Sequence, residues 1–253
     1  MKRVLLPVAL LVLLFGAWEI YVDAGGADPI ILPPPHDIAR SLWLDRGLLW
    51  SNFLVSAQEV LLGILLAVVV GLVLAVAIHF SATLRRAAYP LLIASQTIPF
   101  PMLAPLLVLW LGFGIAPKLV VIALVCFFPI VVTTFAGLER VDPALLKLMR
   151  SFDAPRWRTF WHVELPSALP SVIDGTKVAV VVAVIGAVFA EFAGANSGLG
   201  YLFQQSEANL LIPRAYAAVV ILSLFAIALF ALLTLAERRA LPWAYQPRGE
   251  LSP

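Results

Sequence analysis

The chain has 253 residues, 62% of them apolar and 13% charged, with a formal net charge of +2. Soluble domains usually carry about 45–50% apolar and about 25% charged residues, so a water-soluble core could not hide this much apolar surface, whereas a bilayer can. The small net charge offers nucleic acid no electrostatic footprint. The single cysteine, Cys126, excludes an internal disulfide and a cysteine metal cluster, and inside an apolar run it reads as a small core hydrophobe.

Six stretches are long enough to cross about 30 Å of hydrocarbon: residues 4–22, 56–78, 88–111, 119–138, 172–192 and 215–236. The first follows Lys2 and Arg3 and precedes small residues at 24–27, as in a signal peptide. Its apolar run exceeds the usual h-region of about 7–15 residues, and Trp18 and Tyr21 read as an interfacial anchor. A retained helix is the better reading. The second stretch has an amphipathic lead from Leu48. The third carries Pro90, Pro99, Pro101 and Pro105, each of which removes a backbone donor and kinks a helix. In lipid such a broken helix survives where protein or a water-filled cavity satisfies the freed carbonyls. Gln96 and Thr97, beside Pro99, can do so locally, and Gln96, Thr97 and Pro99 are candidates for lining a translocation pathway.

A cytoplasmic N-terminus puts twelve basic residues inside (Lys2, Arg3, Arg85, Arg86, Arg140, Lys147, Arg150, Arg156, Arg158, Arg238, Arg239, Arg248) and four outside (Arg40, Arg46, Lys118, Arg214). The positive-inside rule then predicts both termini in the cytoplasm. On this topology Pro33-Pro34-Pro35 predicts a stiff external arm, residues 112–118 a tight external turn containing Lys118, and residues 192–214 an external loop in which Gly198-Leu199-Gly200 shapes a re-entrant turn. Glu59 and Glu191 fall near the outer span ends, where ionisation is cheap. Glu191 is also a gate or pathway candidate, because acids inside a membrane are functional candidates by default. Lys177 is expected to snorkel toward the cytoplasm. His36, His79 and His162 are too far apart in sequence to suggest a shared metal, and no metal or cofactor is expected.

The longest inside loop, 139–171, is charged yet keeps Leu145, Leu148, Met149, Phe152, Trp157, Phe160 and Trp161 at helical spacing. Asp142-Pro143 reads as an N-cap and first turn. Asp153-Ala154-Pro155 breaks the pattern and opens a short helix over 155–162, which Leu165-Pro166 and Leu169-Pro170 should end. A helix-turn-helix with an apolar stripe and basic flanks can plug a partner's groove.

This loop resembles the cytoplasmic loop of binding-protein-dependent ABC importer permeases. Ala154 through Arg158, His162 through Pro166 and Ala168-Leu169-Pro170 fit that pattern, whereas Lys147-Leu148-Met149 stands where the family has Glu-Ala-Ala, and Asp153 where it has glycine. Asp adopts the left-handed conformation more readily than most residues, which makes it a workable replacement. Ile31 through Pro35, Gln96 through Pro99, Ala104 through Gly114, Phe127 through Val132, and Glu191 with Gly198 through Tyr201 are similar to the sulfonate, taurine, nitrate and thiamine-pyrimidine-precursor branch.

The resemblance implies an all-α polytopic bundle of the type I importer permease kind in a bacterial inner membrane. Residues 1–50 would supply the first helix and external arm, and 51–245 the core permease domain. It implies a separate ABC ATPase, an extracytoplasmic solute-binding protein, the bilayer and a second permease copy as partners. Asp153, Ala154, Pro155, Arg156, Trp157, Arg158, Phe160 and Trp161 would form the ATPase-coupling element, with Trp157, Phe160 and Trp161 as its apolar anchors and Arg156 and Arg158 setting register. No Gly-x-x-x-x-Gly-Lys-Ser/Thr phosphate loop occurs, so the chain supplies no ATP hydrolysis itself. A membrane enzyme would need clustered catalytic side chains in the spans. A secondary transporter would need several buried ionisable groups there. The sequence suggests neither.

Overall fold

A computed structural model describes residues 2–245. Arg248 lies outside them, and Lys2 and Arg3 are described by backbone only. Among the described residues the regular structure is entirely helical, and the chain divides into two compact units.

The first unit comprises residues 1–57 and 195–224. It contains α1 (Lys2–Asp23), α2 (Pro35–Leu44), the start of α3 (Arg46–Phe80), α10 (Leu199–Ala208) and the start of α11 (Ile212–Ala240). The proline run is shorter as an arm than the sequence suggests. Pro33 and Pro34 are buried, and Pro35 opens α2, where a missing N–H costs nothing. The carboxylate of Glu19, on α1, accepts the His36 backbone N–H at 3.2 Å and also pairs with the His36 ring. One acidic side chain thus caps α2 and ties it to α1. Hydrogen bonding to Glu19 raises the His36 pKa above its ordinary value. Trp18 packs on Tyr216 with ring centroids 6.3 Å apart.

The second unit comprises residues 58–194 and 225–253. Its central pair is α6 (Ile115–Glu139) against α9 (Leu165–Phe192). Small residues bring the two backbones close, as membrane helices require without a hydrophobic drive between them. A Cβ on Gly175 would stand 2.0 Å from Thr133 Oγ1 of α6, and one on Gly137 would stand 2.6 Å from the Ser171 Cβ of α9. The Cys126 thiol, buried as expected, donates to the Ala179 carbonyl at 3.3 Å across the same seam.

The third apolar stretch divides into α4 (Ala82–Ser95) and α5 (Phe100–Leu111), bent by 102° across a break that holds Gln96, Thr97 and Pro99. The break falls at one proline of the four. Pro101 sits in the first turn of α5, whereas Pro90 and Pro105 stay inside their helices. Thr97 Oγ1 donates to the Ala94 carbonyl at 2.8 Å, one of the local repairs expected of that segment.

The loop 139–171 departs furthest from expectation. After α7 (Pro143–Ser151), α8 (Arg156–Thr159) does not stop at Leu165-Pro166. It runs through a π turn (Phe160–Glu164) straight into α9, giving one helical run of 37 residues. The Leu165 amide reaches back five residues to the Phe160 carbonyl. This wider turn lies just ahead of Pro166, whose ring would otherwise crowd the carbonyl four residues back. Among the described residues, four helices, or five if the bent α4–α5 pair is one span, are long and apolar enough to cross a membrane. The chain is a multi-pass membrane protein.

Candidate functional site

Asp142 caps α7 by accepting the Ala144 N–H at 2.8 Å. The chain then reverses through Asp153, whose φ of 49° is left-handed, in keeping with its place at the family's glycine position. Pro155 is extended and precedes α8. Trp157 and Trp161, four residues apart, are 64% and 47% exposed. Arg156 and Arg158 are exposed beside them, and Ala154 is half-buried. Arg158 makes no ion pair among the described residues.

Phe160 corrects the expectation of three exposed anchors. It is 2% exposed, clustered with Leu138 and Ala168 and packed on Phe80 at a centroid distance of 5.1 Å. Its neighbour Arg156 lies over the Phe80 ring at 4.9 Å. Close by, His79 Nε2 and Glu164 Oε2 are 2.9 Å apart, tying the foot of α3 to the π turn. Phe160 therefore seats the α8 helix on its own chain, while the two tryptophans face away.

The remaining acids and lysines form pairs that sequence reasoning missed. Lys118 is not in a turn. It is buried in the first turns of α6, with Nζ 2.6 Å from Glu59 Oε1 of α3. Glu191, 1% exposed, stands beside that pair at the end of α9. Both acids therefore lie in the protein interior and not at a solvated interface. For Glu59 and Lys118 the reason is mutual: each charge is tolerable when buried because the other neutralises it. Lys177 likewise does not snorkel. Its ammonium is 3.1 Å from Asp174 Oδ1 and pairs with buried Glu237 of α11. Arg85, at the start of α4, pairs with Glu139 at the end of α6.

In the first unit the re-entrant segment becomes α10, whose N-terminus is held by α3. Asn52 Oδ1 accepts the Gly198 N–H at 2.8 Å, and Ser56 Oγ accepts the Leu199 N–H at 2.7 Å. Gly198 has φ 119°, a conformation glycine supplies without strain. Arg214 Nη2 is 2.6 Å from Asp45 Oδ1, and that hydrogen bond holds the Asp45 carboxyl below its ordinary pKa. Glu19, Asp23 and His36 place their ligand atoms within 4.8 Å of one another, the one grouping among the described residues compact enough for a cation.

Residues 63–242 match the family described as binding-protein-dependent transport system inner membrane component. A formylaminopyrimidine transport permease protein, ThiX, of Halalkalibacterium halodurans is 37% identical over 94% of this chain and 95% of its own length. A probable ABC transporter permease protein of Haemophilus influenzae is 35% identical over 90% of this chain and 93% of its own. Among solved structures, the inward-facing MetNI methionine ABC transporter aligns with TM-score 0.65 at 19% identity, over 82% of this chain and 99% of that one, a likeness of fold. This chain belongs to the binding-protein-dependent inner membrane transport family, as the permease subunit of an ABC importer whose ATPase is a separate subunit and whose solute arrives on a binding protein.

Proposed function

We propose that two copies of this chain form the pathway of a bacterial inner-membrane importer, and that residues 153–161 couple it to the ATPase. The supporting observation is the exposed pair Trp157 and Trp161 on a short helix flanked by Arg156 and Arg158. Large aromatics anchor small interfaces, and flanking cations set register. Phe160 braces that helix from behind, so nucleotide-driven motion of the ATPase passes through the continuous run Arg156–Phe192 into the second unit. Counting α1 with the bent pair and the other four helices gives six spans, with both termini cytoplasmic by the distribution of basic residues. Residues 51–245 are the core permease domain.

The break at Gln96, Thr97 and Pro99 is the pathway candidate, because its non-helical backbone belongs where a cavity can solvate it. Glu191 serves that pathway indirectly, by stabilising the outer ends of α3, α6 and α9 with Glu59 and Lys118. The solute is a heterocycle akin to a thiamine pyrimidine precursor, on the strength of the full-length likeness to a formylaminopyrimidine permease. A sulfonate or taurine-like anion is the second reading, from the taurine permease TauC of Escherichia coli, 27% identical over 96% of this chain.

The test is reconstitution with its ATPase and binding protein. Uptake of formylaminopyrimidine that requires ATP and both partners is the expected outcome. Uptake by this chain alone would move it to the secondary transporters. Taurine uptake in preference to the heterocycle would select the second reading.

A further inference from the structure

The second unit carries a cavity of about 380 Å³ behind the α8 helix. It lies between the end of α7 and the foot of α3, with Arg150, Arg156, Thr159, His79 and Glu164 on its wall. Its size falls at the small end of the about 300–1,000 Å³ typical of small-molecule sites. Neither Arg150 nor Arg156 has a carboxylate partner among the described residues. Arg156 rests one face of its guanidinium on Phe80, which orients it and leaves its in-plane N–H groups available. The one acid on the wall, Glu164, is already engaged by His79. The cavity is thus a cationic notch with two oriented or orientable forks, and such forks match phosphate oxygens.

We propose that this notch binds the phosphate group of an anionic lipid headgroup. The proposal rests on the cytoplasmic placement of residues 139–171. His79 is the penultimate residue of α3, one residue past the apolar stretch 56–78, and Glu164 pairs with it from the turn before α9, so the notch sits where α3 leaves the hydrocarbon on the proposed topology. Beside it α7 exposes Leu145, Leu148 and Phe152 along with Lys147 and Arg150. That amphipathic face suits the headgroup boundary. Basic pockets at the cytoplasmic ends of spans take anionic headgroups through the same chemistry. A phosphate there bridges α7 to α8 and stiffens the coupling loop before the ATPase arrives.

The experiment is native mass spectrometry of the full-length purified permease, needing neither ATPase nor transport. Wild type is expected to retain phosphatidylglycerol at least about tenfold better than phosphatidylcholine, a difference that Arg150→Gln/Arg156→Gln abolishes and Arg158→Gln, outside the notch, preserves. Equal retention by wild type and the double variant overturns the proposal. Inorganic phosphate binding as tightly as the lipid, and displacing it, reassigns the site to a soluble phosphate. If the double variant keeps its lipid but loses the ATPase in a pull-down, the notch is a dock for partner carboxylates and the lipid reading fails. Alkylation of a cysteine introduced at Asp153 reads the topology separately. External labelling there would sink the placement of the loop, whereas internal labelling with no lipid preference sinks only this proposal.

Discussion

Trp157→Ala separates coupling from folding, because the aromatics of the α8 region divide into two roles. Trp157 is 64% exposed, and a Trp side chain buries about 150–250 Å² when covered. The part left open is therefore about 130 Å², worth about 3 kcal/mol at about 25 cal/mol per Å² if a partner covers all of it. Covering half gives about 1.5 kcal/mol, so truncation weakens the ATPase's hold by roughly 10–100-fold per subunit. The cost to the permease itself is limited to ring contacts with Phe160 and Trp161 at 6.2 and 5.3 Å, each about 0.5–1.5 kcal/mol. Phe160→Ala is the contrasting variant. At 2% exposure its loss opens a cavity and costs about 3–5 kcal/mol of fold stability. The assay is ATP-driven uptake in proteoliposomes, with complex recovery by size-exclusion chromatography and thermal melting of the purified permease. Trp157→Ala is expected to abolish uptake and shed the ATPase with a smaller fall in melting temperature than Phe160→Ala, whose main effect is on melting. Wild-type uptake and an intact complex in Trp157→Ala would refute the reasoning, as would unchanged melting in Phe160→Ala.

Lys118→Met leaves the buried Glu59 carboxylate without its cation and should cost about 3–5 kcal/mol, whereas Glu59→Gln/Lys118→Met should recover most of that loss in detergent melting; equal melting of the single and double variants contradicts a paired site. Asp153→Gly relieves a left-handed non-glycine residue worth about 1–2 kcal/mol, less the entropy glycine adds, so a melting temperature higher by a degree or more is expected and a fall counts against strain at that turn. Asp45, its pKa lowered by the Arg214 hydrogen bond, contributes stability that is present above the unfolded carboxylate's pKa and lost as pH falls through the lower folded value. The part-buried pair is worth about 1 kcal/mol, and Asp45→Asn should remove that acid-side dependence while leaving the neutral-pH fold intact. An unaltered acid melting profile in Asp45→Asn would argue that other carboxylates set it.

What could be read from the sequence was whatever depends on neighbours along the chain. Apolar run lengths located the four helices, and the bent pair, that are long enough to cross hydrocarbon, because crossing sets a minimum length. Pro99 beside two hydrogen-bonding side chains marked the break, and the family's glycine position led to a left-handed Asp153. The ion pairs were illegible because their partners are distant: Lys118 and Glu59 lie 59 residues apart, Lys177 and Glu237 lie 60. Taken singly, each such residue looks like an interfacial charge or a snorkelling one, and only folding reveals the partner that makes burial tolerable. Asn52 and Ser56 were missed for the same reason, since an orphan N–H at Gly198 gives no hint of where its acceptor comes from.

The α8 aromatics fail in a more instructive way. Spacings of three and four residues put Trp157, Phe160 and Trp161 on neighbouring faces of one helix. That pattern is compatible with all three docking in a partner or all three packing at home. The decision belongs to α3, which ends with Phe80 under the helix and claims Phe160. The claim requires α8 to be rigidly continuous with α9, and the π turn supplies that continuity past Pro166. A loop that ended at the proline would leave Phe160 free to face the ATPase, and the ATPase would then push on a flexible tether. With Phe160 seated, the same push moves a 37-residue helical run as one body. The residue that looked like a third anchor is, on this reading, what allows the two exposed tryptophans to transmit force.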